Sequence, residues 1–454
     1  MKRKKKVIIG ITVLVLGILV GLSISYFINN KKEDTKEIPI VDIKKESKVV
    51  IGYIDSIDDK TIILHDESNI KYTIKVDSNI IMNAKVINPK DYVKVFYKEE
   101  LNSNKDPIAY RIDLLHTAVT LDRATEILNT MSLEEKVGQM FFVRTPEFNA
   151  SQDALNYNLG GYILFGRDVI NESKDSLKST ISSYQNNSKI KMIIAVDEEG
   201  GTVNRLSNYK AFRGQPFLSP QELYNQGGIE LILSDSKEKA ELLLSLGINV
   251  NLAPVADISI NPNDFIYQRS LGKNTKETSN YITQLVKEMD KNHLGSVLKH
   301  FPGYGNNIDT HTGIATDKRT YQNFIDNDFK PFESGIDVGA KAILVSHNIV
   351  TSMDDKMPAS LSPKVHNILR KDLHFHGVIM TDDLDMGAIN QFTDHKKSAV
   401  LAIQAGNDFI MCGNYKEQIP AVLQAIKDNT IKEQTINESV HRILSWKLNL
   451  KVIE

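Results

Sequence analysis

Four stretches of this chain combine carboxylates, cations and imidazoles in patterns suited to acid–base, nucleophilic or metal chemistry. VDEEGGTVNRL carries Asp197, the pair Gly200–Gly201, read as flexible, and Arg205 eight residues after Asp197. YQRSLG supplies Arg269, and MTDDLDMG supplies Asp382 and Asp383. KHFPGYGNNIDTHTG places Lys299 beside His300, then Gly303 and Gly305, which permit a mobile loop, then Asp309 two residues before His311. Each piece also has an ordinary reading. Asp382 could cap a helix, His300 could be a satisfied core histidine, and Asp309 and His311 could share a local loop hydrogen bond. Glu198 to Gly201 could be only a tight charged turn. A metal set of His300, His311, Asp382 and His347 competes, but no H-x-H or H-E-x-x-H pair fixes two ligands on one element. No metal and no other cofactor is expected.

The elements that must position these residues begin at about Leu121. Ser132 and Glu135 have the S-x-x-E spacing of a capping box at a helix start. Short apolar runs then alternate with helical stretches: MFFVRT from Met140, GYILFG from Gly161, MIIAVD from Met192, INVNLAPVAD from Ile248, SVLKHF from Ser296, AILVSH from Ala342, VIMTDD from Val378 and DFIMCG from Asp408. Continuous β-branched runs separated by crossover-length segments predict parallel strands buried on both faces. Eight such units over 121–454 predict an α/β fold of the TIM-type (β/α)8 class, with an open doubly wound sheet as the alternative. In a barrel, chemistry belongs at the carboxyl ends of the strands. Asp197 ends the third run, Arg269 follows the fourth, Lys299 and His300 end the fifth, and Asp382 ends the seventh. Their joint occurrence at successive strand ends makes the ordinary readings improbable as a set.

The rest of the chain reads differently. Residues 48–118 hold five short period-two runs, among them IKYTIKV with Ile70, Tyr72, Ile74 and Val76 alternating with polar residues. They predict a small all-β domain, an antiparallel barrel or sandwich acting as a spacer or packing module. Residues 29–47 are charged and aperiodic, as a solvated tether is. Val7 to Ile28 carries no charge; at about 1.5 Å per residue it spans roughly 33 Å, enough for a transmembrane helix. The basic tail 1–6 before it predicts a cytoplasmic amino terminus and an extracellular remainder. A cleaved signal peptide is the alternative, though no convincing A-x-A site follows.

Of the 454 residues, 55 are basic and 57 acidic, for a net charge of −2. Five of the cations lie in the first six residues, so the remainder carries 50 against 57 and is no nucleic-acid binder by composition. Cys412 is the one cysteine, which excludes an intrachain disulfide and a lipid anchor after the apolar run.

VDEEGGTVNR, NLAPVADI, QRSLG, KHFPGYGNNIDTH, the SHN…MPASLS segment from Ser346 and GVIMTDDLDMGAI resemble the N-terminal barrel domain of glycoside hydrolase family 3, in its bacterial β-N-acetylglucosaminidase branch. The similarity runs from about Leu121 to the carboxyl terminus, with six motifs in family order. It implies retaining hydrolysis of terminal β-linked N-acetylglucosamine, peptidoglycan fragments among the expected substrates; with the amino-terminal apolar run, the expectation is a membrane-tethered extracellular enzyme. The resemblance assigns the nucleophile to Asp382. Strand alternation allows only one of Asp382 and Asp383 to face inward and does not choose, so Asp383 stays open. Many family members draw a carboxylic acid from a second domain. This sequence stops at Glu454, soon after the eighth strand, so the proton donor is expected from the barrel. His311 is the implied acid/base and Asp309 its orienting partner. Asp197, Arg205, Arg269, Lys299 and His300 match the family's ligands for the nonreducing terminal sugar. Two positions depart from the family pattern: Tyr304 replaces the second histidine of KHFPGHG, and Glu198 stands where glutamine is frequent. A family 3 β-glucosidase or β-xylosidase and a noncatalytic cell-wall-binding barrel are the competing functions.

Overall fold

Runs of Ile, Val and Leu bounded by polar turns form sixteen strands in a computed structural model that describes residues 48–99, 107–308, 313, 315–390, 392, 393 and 397–454. The amino-terminal apolar segment lies outside the described residues; among those described, no helix is long and apolar enough to cross a membrane.

The first five strands are β1 (Lys48–Ile57), β2 (Thr61–His65), β3 (Lys71–Met82), β4 (Tyr92–Lys98) and β5 (Ile108–His116). They close into a barrel in the order β1-β2-β3-β5-β4. The antiparallel expectation holds for β1–β2, β2–β3 and β4–β5, whereas β3 and β5 run parallel, pairing Lys75 with Ile108 and Val76 with Ala109. A ring with an odd number of strands cannot alternate direction at every junction, so one parallel pair is unavoidable. Period-two patterning turns Ile54, Ile62, Leu64 and Ile74 into the small core. β4 departs from that pattern because both its faces are covered, Val93 and Val95 by the small core, Tyr92 and Lys94 by His376 and Asp337 of the larger domain, and Phe96 by Tyr110 and Arg111.

That second face docks onto the larger barrel. Lys94 Nζ approaches Asp337 Oδ1 (3.5 Å), and Arg111 donates to the Asp337 carbonyl (2.7 Å) while pairing with Asp113. Lys341 Nζ donates to the Leu115 carbonyl (2.8 Å). Asp337 and Lys341 both precede a barrel strand, so the small barrel covers the amino-terminal end of the larger one. Val49–Glu454 forms one compact unit.

The larger barrel uses β6 (Phe141–Arg144), β7 (Gly161–Leu164), β8 (Ile193–Val196), β9 (Val250–Asn251), β10 (Gly295–Ser296), β11 (Leu298–Phe301), β13 (Ala342–Val345), β15 (Val378–Thr381) and β16 (Ile410–Cys412). β10 and β11 are two pieces of one run interrupted at Val297. Pairing is parallel in the order β10-β9-β8-β7-β6-β16 and, separately, β11-β13-β15. Bridges Val255–Lys299 and Met380–Phe409 join the two sets into an eight-position cylinder. All eight predicted runs become its staves, and closure replaces the open-sheet alternative. IIAV, AILV and VIMT are buried at every residue, as strands sandwiched between a filled centre and outer helices must be. Ser132 caps the helix Leu133–Gln139 reciprocally with Glu135, as the spacing predicted. Two short additions, β12 (Thr316–Asp317) and β14 (Ile349–Val350), pair in parallel within the loops after β11 and β13.

Candidate functional site

The residues immediately after the staves converge on the carboxyl-terminal end. β8 runs into Asp197, Glu198 and Glu199, three adjacent acids that face different partners. Glu198 is fully buried and accepts from the backbone N–H groups of Arg205 (2.8 Å), Leu206 (2.8 Å) and Ser207 (3.0 Å), and from the Ser207 hydroxyl. Its two oxygens thus fold the loop that carries Arg205. The departure from glutamine therefore falls on a residue that folds this loop. The Gly200–Gly201 pair is tight rather than flexible: both residues have positive φ, and a Cβ on Gly200 would lie 2.1 Å from the Leu218 carbonyl oxygen.

Asp197 and Glu199 are joined by Lys299 from β11, whose Nζ lies 2.7 Å from Asp197 Oδ1 and 2.6 Å from Glu199 Oε1. Arg269, from the loop after β9, grips Glu199 with Nε (3.0 Å) and Nη2 (2.7 Å). Burial raises the Glu199 carboxyl, but Arg269 and Lys299 outweigh it and hold the group well below the usual carboxylate range. Arg269 Nη2 also reaches His300 Nε2 (3.1 Å), and His300 Nδ1 lies 2.8 Å from Asp257 Oδ2. A guanidinium can only donate, so Nε2 accepts and the Nδ1 proton is given to Asp257. Asp257 also takes the backbone N–H of His300 (3.0 Å) and of Tyr304 (2.7 Å). Arg205 stands 3.9 Å from Asp197 Oδ2. Asp197, Arg205, Arg269, Lys299 and His300 are therefore brought together, held by Glu199 and Asp257. Neither of these two was singled out from the sequence. Both do end a strand motif, VDEE and VAD, and that was the available signal.

β15 ends in Asp382 and Asp383, which the structure separates. Asp382 is half-buried, its backbone N–H bonds to the Val345 carbonyl (2.9 Å), and its Oδ1 accepts from the Asp383 N–H (2.8 Å). Asp383 is buried, ion-paired through Oδ2 with Arg144 at the end of β6, and accepts at Oδ1 from the Asp385 N–H (3.0 Å). Burial pushes the Asp383 carboxyl up to about 6, with Arg144 opposing it. His347 sits behind the pair, with Nε2 on the Asp383 carbonyl (2.9 Å) and Nδ1 on the Ser360 hydroxyl (2.7 Å). No group of three metal-ligating side chains occurs among the described residues.

Asp309 and His311 lie outside the described residues. The stems of their loop are built firmly: Asn307 Nδ2 donates to Asp317 Oδ2 (2.7 Å), and Arg319 binds Asp317 (2.8 Å), Asp328 (2.8 Å) and the Gly303 carbonyl (3.2 Å). Gly303, expected to lend mobility, instead has φ of +125°, and a Cβ there would fall 2.3 Å from Asp328 Oδ1. Tyr304 is buried edge-on against His300, ring centroids 5.1 Å apart.

With this geometry in hand, the chain can be set beside known proteins. The family model for the glycosyl hydrolase family 3 N-terminal domain matches residues 132–446. The beta-hexosaminidase A of Pseudoalteromonas piscicida is 28% identical over 322 residues, which is 65% of this chain and 54% of that protein. The beta-hexosaminidase of Photobacterium profundum is 30% identical over 300 residues, 64% of this chain and 87% of that protein. The chain thus spans about half the length of the first relative and most of the second. A solved family 3 beta-N-acetylglucosaminidase from Paenibacillus sp. str. FPU-7 aligns with a TM-score of 0.67 at 28% identity, covering 71% of this chain and 63% of that one.

Proposed function

Because this chain belongs to glycosyl hydrolase family 3, we propose that it is a retaining exo-β-N-acetylglucosaminidase removing terminal β-linked N-acetylglucosamine from extracellular or cell-wall glycans. The observation that carries this reading is the cluster of Asp197, Lys299, Arg269 and His300 at the same end of the barrel as Asp382, a half-buried carboxylate just after β15. Directional donors and acceptors, fixed by Glu199 and Asp257, suit recognition of sugar hydroxyls. The names of the relatives and of the Paenibacillus enzyme support the amino-sugar assignment.

In this mechanism an Asp382 oxygen bonds to the anomeric carbon as the glycosidic C–O bond breaks. His311 gives its proton to the leaving oxygen, and Asp309 orients the imidazole. His311 then takes a proton from water, whose oxygen displaces Asp382 from the anomeric carbon. Asp382 rather than Asp383 fills the nucleophile's role because Asp383 is engaged by Arg144 inside the protein. The sequence of Val7 to Ile28 supports a membrane anchor that holds this barrel outside the cell.

A panel of aryl glycosides tests the reading. The β-N-acetylglucosaminide should exceed the matching β-glucoside in kcat/KM by about 10- to 200-fold. Preference for the glucoside or xyloside would move the enzyme to another specificity, and no turnover of any member would favour a binding protein.

A further inference from the structure

The helix Pro220–Ser245, kinked at Gly227 and Gly228, follows the loop after β8 and buries Ile232, Ser236, Lys239, Ala240 and Leu243. Spacings of three and four residues put these side chains on one face. Lys239 stands out among them as a charge. A core-facing position normally takes an apolar side chain, and a buried ammonium repays its desolvation poorly even when it is paired. Stability is therefore a weak reason for a lysine here.

Its contacts supply another. Lys239 Nζ is seated 2.6 Å from Asp235 Oδ2 and 4.9 Å from the centre of the Phe217 ring. From that seat it donates to the Glu199 carbonyl (3.2 Å), which has no other hydrogen-bond donor among the described residues. The N–H groups of Glu199 (2.9 Å) and Gly200 (3.2 Å) are both spent on the Val203 carbonyl, inside the turn itself. The ammonium is thus what ties the Glu199 carbonyl to the helix.

That carbonyl belongs to the peptide leading into Gly200, whose φ is +105°. The side chain of the same residue holds Arg269 (2.7 Å) and Lys299 (2.6 Å). A cavity of about 30 Å³, lined by Glu199 together with Asp235, Lys239 and Tyr281, adjoins the contact. No side chain fills that space, so packing alone does not wedge Glu199 in place. An unmatched buried carbonyl is costly, and without the ammonium the turn has both a reason to shift and room to do so.

We propose that Lys239 is a positioning residue for the sugar-binding cluster. By holding the Glu199 main chain, it keeps the Glu199 carboxylate where Arg269 and Lys299 are presented to the terminal sugar. It acts through Glu199 rather than on the sugar, and the inference rests on the assignment of that cluster to sugar binding.

Steady-state kinetics of the full chain, on whichever aryl glycoside the wild type turns over best, test this. Lys239→Met should raise KM about tenfold and leave kcat within about twofold. The loss should be equal for good and poor leaving groups, because proton transfer to the leaving oxygen is untouched. In a Glu199→Gln background Lys239→Met should add less than about twofold, since the charge it positions is already gone. A structural role alone would lower the melting temperature and move neither KM nor this coupling. Should Lys239→Met fail to fold because it strands Asp235, the double variant Asp235→Asn, Lys239→Met leaves no stranded charge and is measured in its place. An unchanged KM, a loss confined to kcat, or the same loss persisting beside Glu199→Gln overturns the inference. A wild type that prefers the glucoside corrects the proposed function and leaves the inference standing, and one that turns over no glycoside overturns both.

Discussion

The two ends of the larger barrel solve the problem of buried polar groups in different ways. At the carboxyl-terminal end, Asp197, Glu199, Lys299, Arg269, His300 and Asp257 form a continuous chain in which each charge is met by an opposite charge or a donor. At the amino-terminal end, ion pairs such as Lys94–Asp337 and Arg111–Asp337 serve to dock the small barrel, with Asp113 bracing Arg111. The difference teaches where this molecule places stability and where it places chemistry. Pairing at the tips fixes the side chains that a substrate would meet, and pairing at the base fixes one domain on another. Changes at the tips should therefore cost turnover, and changes at the base should cost stability.

The sharpest separation is expected from Asp382→Ala, which should lower turnover by on the order of 10⁴ or more while leaving thermal unfolding nearly unchanged. A variant that instead unfolded early would place Asp382 among the structural carboxylates. His311→Ala should rank next. Loss of a general acid should slow natural disaccharides by roughly 10²–10⁴ and activated aryl glycosides much less. Equal losses on both substrates would remove His311 from the acid role. Glu199→Gln keeps the shape but removes the charge that Arg269 and Lys299 share. The expected loss in kcat/KM is about 10–100-fold, with rescue of part of it in Glu199→Asp, measured by steady-state kinetics on one aryl substrate. The base should give the smallest kinetic effect. Arg111→Ala strands the buried Asp113 and should cost about 2–4 kcal/mol in denaturant unfolding, with unchanged turnover per folded molecule. Turnover falling in step with stability there would erase the distinction between the two ends.

The large barrel was legible in the sequence because its strands are buried on both faces and therefore read as unbroken apolar runs from Met140 to Cys412. The five strands of the small barrel were legible through alternation, but the parallel pairing of β3 with β5 was not. It follows from ring closure, to which no local pattern refers. Asp197, Lys299 and Asp382 stood out because they end strands. Glu199 did not, since adjacency to Asp197 cannot reveal that a guanidinium seventy residues away will fold over it. Nor could glycine content distinguish hinges from tight packing. Gly200 and Gly303 looked like loosened loops, but their positive φ and the clash that a Cβ would make with the Leu218 carbonyl or the Asp328 carboxylate show close approach instead. Asp309 and His311 present the reverse case: their D-x-H spacing is the argument for them, together with stems held by Asn307, Asp317 and Arg319.

Trapping the intermediate puts the assignment of the tips at greatest risk. The full chain would be treated with a ring-fluorinated N-acetylglucosaminyl fluoride, digested and mapped by mass spectrometry. One sugar should be found esterified to the carboxylate of Asp382, in the peptide that spans β15, and no adduct should form on Asp382→Asn. A sugar carried by Asp383, or turnover of the reagent with no ester on either residue, would contradict the account.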